Sequence, residues 1–183
     1  MMWLDLVALA NNLLRGEQGL VAVKYFTARI RNNPKKQKRQ TTYLDALSLH
    51  CGEKLQIIEG YYYADPYICA DCGRNNPIEG EKQTDVNIAT HMIVDAQREN
   101  FVDDLILITA DSDQVPALKA VRELGKNVLV VLPPGREAYL EIQFAANSKL
   151  DLNASKLKAS LLPRRITAKN GFVLECPDKY KFW

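Results

Sequence analysis

Apolar residues along the chain follow two alternating patterns, short continuous runs and longer segments with helical spacing. The short runs predict four strands, at residues 20–26, 55–63, 105–110 and 128–132. The last two runs are rich in Val, Ile and Leu throughout, as in strands covered on both faces. Helical spacing predicts five helices, at residues 4–14, 41–49, 85–100, 114–124 and 137–147. This alternation predicts a Rossmann-like three-layer α/β/α domain with a mainly parallel sheet.

The C-terminal region has a different pattern. Asn170 and Gly171 separate two short runs of β-type residues, 165–167 and 172–174. An Asn-Gly pair between such runs is typical of a β-hairpin with a two-residue turn. The sequence therefore predicts a short C-terminal hairpin in addition to the α/β domain.

Length, composition and charge narrow the class of protein. The chain has 183 residues, which suits one folded domain, and 47% of them are hydrophobic, which excludes global disorder. The formal net charge is only +2, so any nucleic-acid site must be a local patch. No apolar run approaches the roughly 20 residues that span a bilayer, and the first residues lack a signal-peptide pattern. We therefore expect a cytoplasmic protein without a membrane partner.

The most informative segment, residues 105–116, joins a predicted buried strand to a helix through two carboxylates, Asp111 and Asp113. Ligands bind at the carboxyl ends of strands in open α/β sheets, which favours a functional site here. The structural alternative is that Asp113 only caps the helix and Asp111 only forms the turn.

A second acidic segment, residues 81–87, begins the helix predicted at residues 85–100. Taken alone, Glu81 and Asp85 would be read as charges that complement the helix dipole. In a parallel sheet, however, these acids would share one edge with Asp111 and Asp113. Carboxylates gathered in this way repel each other unless a cation is present. Mg²⁺ suits such a site because it takes one or two carboxylates and keeps several waters.

The ordered motifs of the chain resemble those of the NYN domains, a branch of the PIN-like nuclease superfamily that includes bacterial proteins. The strongest matches are Glu-Lys-Gln-Thr-Asp-Val-Asn at 81–87, Thr-Ala-Asp-Ser-Asp at 109–113 and Leu-Gly-Lys at 124–126. Further matches extend over nearly the whole chain, at residues 3–6, 25–29, 133–135 and the pair Cys69 and Cys72. The resemblance implies a PIN-like fold and metal-dependent cleavage of RNA.

One departure concerns the first strand that members of this family usually have, with an Ile-Asp-Gly-x-Asn motif whose Asp binds metal. This sequence opens at a segment that matches the following helix, and Asp5 lies in that segment, so the role is not transferred to Asp5. The missing strand would be central, between the strands at 20–26 and 105–110. Because unpaired buried backbone groups are costly, we expect either a truncated amino terminus or another segment in that place.

The resemblance assigns Asp85, Asp111 and Asp113 to a catalytic Mg²⁺ or Mn²⁺ site, with Asn87 and Ser112 as substrate-binding neighbours. The implied function is a metal-dependent ribonuclease that hydrolyses RNA phosphodiester bonds at the carboxyl edge of the sheet. The alternative is a catalytically impaired, nuclease-derived module that binds RNA or another partner.

The resemblance also divides the chain. The NYN domain is expected over residues 1–152, with a cysteine-containing insertion around 64–80. Residues 153–183 are expected to form a helix and hairpin tail that packs on this domain. Formation of a homo-oligomer is left open.

Cys69 and Cys72 have the spacing of half a zinc site, followed by Gly73. A closed structural zinc site needs four ligands, and the sequence has no second pair at this spacing. The other candidate ligands are Cys51, Cys176, His50 and His91. Zinc binding by the pair and an ordinary surface loop therefore both stay open.

The concentrated basic run lies at residues 34–40. Its cations, Lys35, Lys36, Lys38 and Arg39, are read either as a solvated helix start or as contacts to RNA phosphates. Tyr61, Tyr62 and Tyr63 end a predicted strand, and one of them exposed at the sheet edge could stack on a base.

Overall fold

The computed structural model describes residues 3–31, 33–75, 78–136 and 140–180. Its strands are β1 (Val23–Ala28), β2 (Leu55–Asp65), β3 (Ile78–Lys82), β4 (Asp104–Ile108), β5 (Asn127–Leu132), β6 (Ser148–Asp151), β7 (Arg165–Thr167) and β8 (Val173–Glu175). Its α-helices are α1 (Leu6–Asn11), α2 (Pro34–Cys51), α3 (Thr84–Gln97), α4 (Val115–Glu123), α5 (Leu140–Ala145) and α6 (Ala154–Lys158). A 3₁₀ turn, Ser112–Gln114, connects the end of β4 to α4.

The strands form two three-stranded sheets and a hairpin. The first sheet has the order β1-β2-β3, in which β1 and β2 are parallel and β3 is antiparallel to β2. The second sheet has the order β4-β5-β6 and is entirely parallel. β7 and β8 form the separate antiparallel hairpin. The predicted α/β class, mainly parallel strands and C-terminal hairpin are confirmed.

Helices cover both faces of the sheets. On one face, α3 packs on the first sheet through the contact of His91 with Phe26, and on the second through Met92. On the other face, α1 packs on the second sheet through Leu9, and α2 packs on the first through Leu47. The resulting architecture has three layers, and α3 spans both sheets.

No strand among the described residues lies between β1 and β4, so each of these strands is hydrogen-bonded to a neighbour on one side only. The consequence is clear in β4, where Ile108 is 43% exposed, whereas Val128, Val130 and Val131 of β5 are completely buried. Both strands are packed on both faces as predicted, β4 through Leu107 on one face and Ile106 on the other, but the unpaired edge leaves β4 less buried than β5. The gap lies where the central strand of the family is expected.

Several predicted elements differ in extent. α2 begins at Pro34 rather than at residue 41, because Asn33 caps the helix and proline is favoured in a first turn. The sequence pattern did not predict β3 or β6, which are short and contain alternating or polar residues. The helix predicted at 137–147 begins at Leu140, and residues 137–139 lie outside the described part.

The C-terminal hairpin has a longer connection than the predicted two-residue turn. Residues 168–172 join its strands, and Gly171 adopts a φ of +83° there. The hairpin packs with Trp3 and α2 through Ile166 and Leu174. In the described part of the chain, no helix is long and apolar enough to cross a membrane.

Candidate metal-dependent site at the sheet edge

Four carboxylates gather at the carboxyl ends of the strands. Asp111 follows β4, and Asp113 lies in the 3₁₀ turn before α4. Glu81 lies near the end of β3, and Asp85 lies in the first turn of α3. The edge of the sheets and the start of α3 thus bring together acids that are up to 32 positions apart in sequence.

The charge of the cluster acts on Asp85. Partial desolvation raises the pKa of Asp85, and the negative charges of Asp111, Asp113 and Glu81 raise it further. The side chains of Asp85, Asp111 and Asp113 belong to exposed residues, so solvent still reaches them. A cation at this place would offset the repulsion that ionised Asp85 meets from the three neighbouring charges.

Local hydrogen bonds hold the acidic turn in one conformation. The Asp111 amide donates to Thr109 Oγ1 at 3.0 Å, and the Asp113 amide donates to Asp111 Oδ1 at 3.1 Å. The expectation that Asp113 caps the helix is therefore wrong. Asp111 caps the preceding 3₁₀ turn, and the residue before α4 is Gln114. The carboxylate of Asp113 is not used as a helix cap.

Gln114 connects the two acidic segments, a role that the sequence motifs did not predict. It is 1% exposed, and its Nε2 donates to the backbone carbonyl of Asp85 at 3.3 Å. Its Oε1 is buried without a hydrogen-bond partner among the described residues. The helical spacing in the sequence does indicate that Gln114 is buried, because it shares a helical face with the buried Leu118 and Val121. A polar residue on such a face needs an explanation.

The start of α3 is also held by close packing against β2. A Cβ added to Gly60 would lie 2.5 Å from Thr84 Oγ1 and 2.8 Å from the Lys82 carbonyl oxygen. Only glycine therefore allows β2 to approach the turn that precedes Asp85. Thr84 also donates a short hydrogen bond to the Glu81 carboxylate. Gln83 adopts a left-handed φ of 74° between these two residues.

The remaining predicted substrate-binding residues lie in α3, in the acidic turn and at the start of α2. Asn87 is half-buried in α3, and Ser112 is half-buried in the acidic turn. Lys35, Lys36 and Lys38 are exposed in the first two turns of α2, and Arg39 is half-buried. Because α2 follows β1, these cations lie on the same side of the fold as the carboxyl end of β1.

The carboxylates fit Mg²⁺ or Mn²⁺ better than a metal held entirely by protein ligands. Within residues 3–31, 33–75, 78–136 and 140–180, no three His, Cys, Asp or Glu side chains form a ready metal site. Mg²⁺ does not require one, since it is usually bound by one or two carboxylates and completed by waters and phosphate oxygens. The mutual repulsion expressed in the raised pKa of Asp85 favours such a cation.

Cys69 and Cys72 lie in the connection between β2 and β3. The Cys69 carbonyl accepts a hydrogen bond from Gly73, whose φ is +65°. Backbone donors of Cys72 and Asp71 lower the pKa of the Cys69 thiol. The lowered pKa suits a thiolate ligand, but the described residues bring no third metal ligand to this pair.

The other candidate zinc ligands lie elsewhere. Cys51 ends α2 at the opposite end of β2, and a strand of 11 residues spans roughly 35 Å. His50 pairs with Asp5, which caps α1. His91 contacts Lys24, which is paired with Asp95 at 2.5 Å. Asp5 thus has a structural role away from the acidic cluster.

The comparison with protein families identifies the class. The family model of the NYN domain matches residues 4–152. The chain therefore belongs to the NYN domain family, whose members have a PIN-like, nuclease-type α/β fold. The expected family is confirmed over most of the chain.

A solved structure has the same overall fold. It is the crystal structure of a protein of unknown function from Vibrio parahaemolyticus, with a TM-score of 0.53 and 19% sequence identity. The similarity covers 87% of this chain and 82% of that chain. No curated protein matches the sequence significantly. At this identity the solved structure supports the fold alone.

Proposed function

We propose that this protein is a metal-dependent ribonuclease that hydrolyses RNA phosphodiester bonds at the acidic cluster. The observation that carries the proposal is the gathering of Asp85 with Asp111, Asp113 and Glu81 at one edge, where desolvation and the charges of these neighbours raise the pKa of Asp85. Surface carboxylates that repel each other bring no gain in stability, so their gathering at the ligand-binding edge favours a functional role. Membership of the NYN family supports the nuclease class.

In this proposal Asp85, Asp111 and Asp113 hold Mg²⁺ or Mn²⁺. Held there, such an ion would supply the chemistry of an activated water and of charge neutralisation at the phosphodiester. Gln114 keeps Asp85 next to the acidic turn through its hydrogen bond to the Asp85 carbonyl. Asn87 and Ser112 offer hydrogen bonds to the RNA, and the cations of the basic run, Lys35, Lys36, Lys38 and Arg39, contact its phosphates without reading sequence.

The second candidate is an RNA-binding or interaction module with impaired catalysis. The gap between β1 and β4 among the described residues favours it, because the central strand expected for the family would bring a further acid to the same edge. This candidate predicts RNA affinity without cleavage. We expect the protein to act in the cytoplasm in either case.

Zinc binding by Cys69 and Cys72 stays a separate prediction. A structural site would require two further ligands in addition to these thiols. Metal analysis of protein purified without chelators tests it. Stoichiometric zinc that is lost in a Cys69→Ser variant would support the site, and absence of zinc would contradict it.

The proposed activity is tested by incubating a labelled RNA with the protein in Mg²⁺, Mn²⁺ or EDTA, with RNA binding measured in parallel. We expect cleavage in either metal and none in EDTA. Binding without cleavage in any metal would favour the interaction module. Cleavage that is unchanged in EDTA would contradict a metal-dependent mechanism.

A further inference from the structure

β2 and β3 form an arm that extends beyond the end of β1. β1 pairs with β2 only up to Gly60, and β3 pairs with the following residues 61–65 of β2. The arm, defined as residues 61–65 together with Ile78–Lys82, therefore projects from the carboxyl edge of the first sheet. Glu81 lies near the base of the arm and belongs to the acidic cluster.

One face of the arm carries exposed aromatic and cationic side chains. Tyr61 pairs directly with Lys82, and Tyr63 pairs with Gly80, so all four residues share one face. Tyr61 is 50% exposed, and the guanidinium of Arg31 lies 5.6 Å from its ring centroid. Lys82 Nζ lies 4.1 Å from the ring centroid of Tyr63.

Glycine shapes this face of the arm as well. A Cβ on Gly80 would lie 2.8 Å from the Tyr63 ring, so the glycine gives the ring its place on the arm. The ring of Tyr63 thus lies close to the backbone of Gly80. Tyr61 is more exposed to solvent than Tyr63, so of the two rings it is the one that a ligand can reach.

The alternative to a binding role is that the two cations and the two aromatic rings only stabilise each other. A cation over an exposed aromatic ring stabilises the contact by about two- to fivefold. Stacking of a nucleic-acid base on an aromatic side chain contributes about 5- to 150-fold in affinity. A base stacked on Tyr61 therefore contributes more to binding than the contact between Arg31 and the same ring. Arg31 would then be released to contact a phosphate.

We propose that the arm binds single-stranded RNA, with a base stacked on Tyr61 and with phosphates contacted by Arg31 and Lys82. The proposal rests on the proposed function for the identity of the ligand as RNA. The positive charge of Arg31 and Lys82 complements the phosphate backbone. Duplex RNA does not fit, because its bases are stacked within the helix and do not offer a free face to Tyr61.

The test is the affinity of fluorescent single-stranded RNA in EDTA, measured by anisotropy for the wild-type chain and for Tyr61→Ala and Tyr61→Phe. We expect Tyr61→Ala to weaken binding about 5- to 150-fold, while Tyr61→Phe keeps the ring and the affinity. Phe172→Ala is the matched control, because Phe172 is an exposed aromatic residue of the C-terminal hairpin. We expect it to change affinity by less than about twofold.

The outcomes separate this proposal from the proposed function. Metal-dependent cleavage with unchanged binding by Tyr61→Ala would overturn the role of the arm and leave the ribonuclease intact. Equal losses for Tyr61→Ala and Phe172→Ala, or equal losses on single-stranded and duplex RNA, would overturn stacking on Tyr61. A wild-type chain that neither binds nor cleaves RNA would overturn both proposals.

Discussion

The two faces of the β2-β3 arm carry opposite chemistry within a single pair of strands. Glu81 lies on the face toward α3, as does Gly60 of β2 just before the arm, and Glu81 joins the acidic cluster there. Tyr61 and Lys82 lie on the other face, next to Arg31. Because successive residues of a strand point to opposite faces, neighbours such as Glu81 and Lys82 serve different sites.

This difference separates two tasks that a nuclease must perform. In our proposals the acidic face acts on the phosphodiester, and the aromatic face contributes affinity for unpaired bases. A change on the acidic face should therefore alter mainly the cleavage rate at saturating RNA. A change on the aromatic face should alter mainly the RNA concentration needed for saturation.

The largest effect expected from a change of packing is at Gly60. In Gly60→Ala the new Cβ would collide with the backbone of Lys82 and with Thr84, so the turn that carries Asp85 must move. Overpacking of this kind costs about 1–3 kcal/mol in unfolding free energy. We expect at least about a tenfold lower cleavage rate, measured under saturating single-turnover conditions together with thermal unfolding.

Gly80→Ala is the matched change on the other face, where the new Cβ would meet the ring of Tyr63. We expect it to weaken RNA binding while the cleavage rate at saturation is largely kept. If Gly60→Ala and Gly80→Ala both changed only affinity, or both changed only the rate, the division between the two faces would be wrong.

Substitution of Asp85 is expected to have a smaller effect, and this effect is on the stability of the folded protein. Its pKa is raised in the folded state, so the folded protein binds this proton more tightly than the unfolded chain. Between the unfolded and folded pKa values of Asp85, stability therefore falls as pH rises, and above both values ionised Asp85 opposes folding. We expect Asp85→Asn to raise Tm at pH 7 in EDTA and to have little effect at a pH below both values.

Metal provides the control for this prediction. Mg²⁺ should raise the Tm of the wild-type chain more than that of Asp85→Asn, since a ligand that binds only the folded state stabilises it. Asp103→Asn should change neither the Tm in EDTA nor the increase in Tm that Mg²⁺ causes. The Asp103 side chain is 98% exposed and lies just before β4. A Tm of Asp85→Asn equal to that of the wild-type chain at both pH values would contradict electrostatic strain at the cluster.

The smallest effect is expected from removing cations of the basic run, and this effect is on RNA binding. Replacement of Lys35 and Lys36 by Gln should reduce the salt dependence of single-stranded RNA binding, by about 0.7 in the logarithmic slope for each phosphate that is no longer neutralised. Lys119→Gln, an exposed change on α4, should leave the slope unchanged. The same slope in both variants would show that the start of α2 does not contact RNA.

The sequence predicted the layers and the acidic edge well because both depend on local patterns. The apolar run of β5 and the helical spacing of α3 are visible in any single sequence, and acids after strands share one edge in a parallel sheet. The family motifs then assigned Asp85, Asp111 and Asp113 a role that no local pattern could provide.

What escaped prediction depends on contacts between distant segments. The burial of β4 could not be read from its apolar run, because exposure depends on whether a partner strand lies beside it. The role of Gln114 depends on the position of Asp85, which lies 29 residues earlier in the chain. The aromatic face of the arm required the pairing of β2 with β3, and β3 was not predicted.

The most direct test of the central claim is the single-turnover cleavage rate of Asp111→Asn at saturating RNA in Mn²⁺, with Asp103→Asn as control. Metal stabilisation of several kcal/mol corresponds to roughly a thousandfold in rate. We predict that Asp111→Asn loses about this factor while it still binds RNA, and that Asp103→Asn cleaves as the wild-type chain does. Cleavage by Asp111→Asn at the wild-type rate would contradict the assignment of the acidic cluster as the catalytic site.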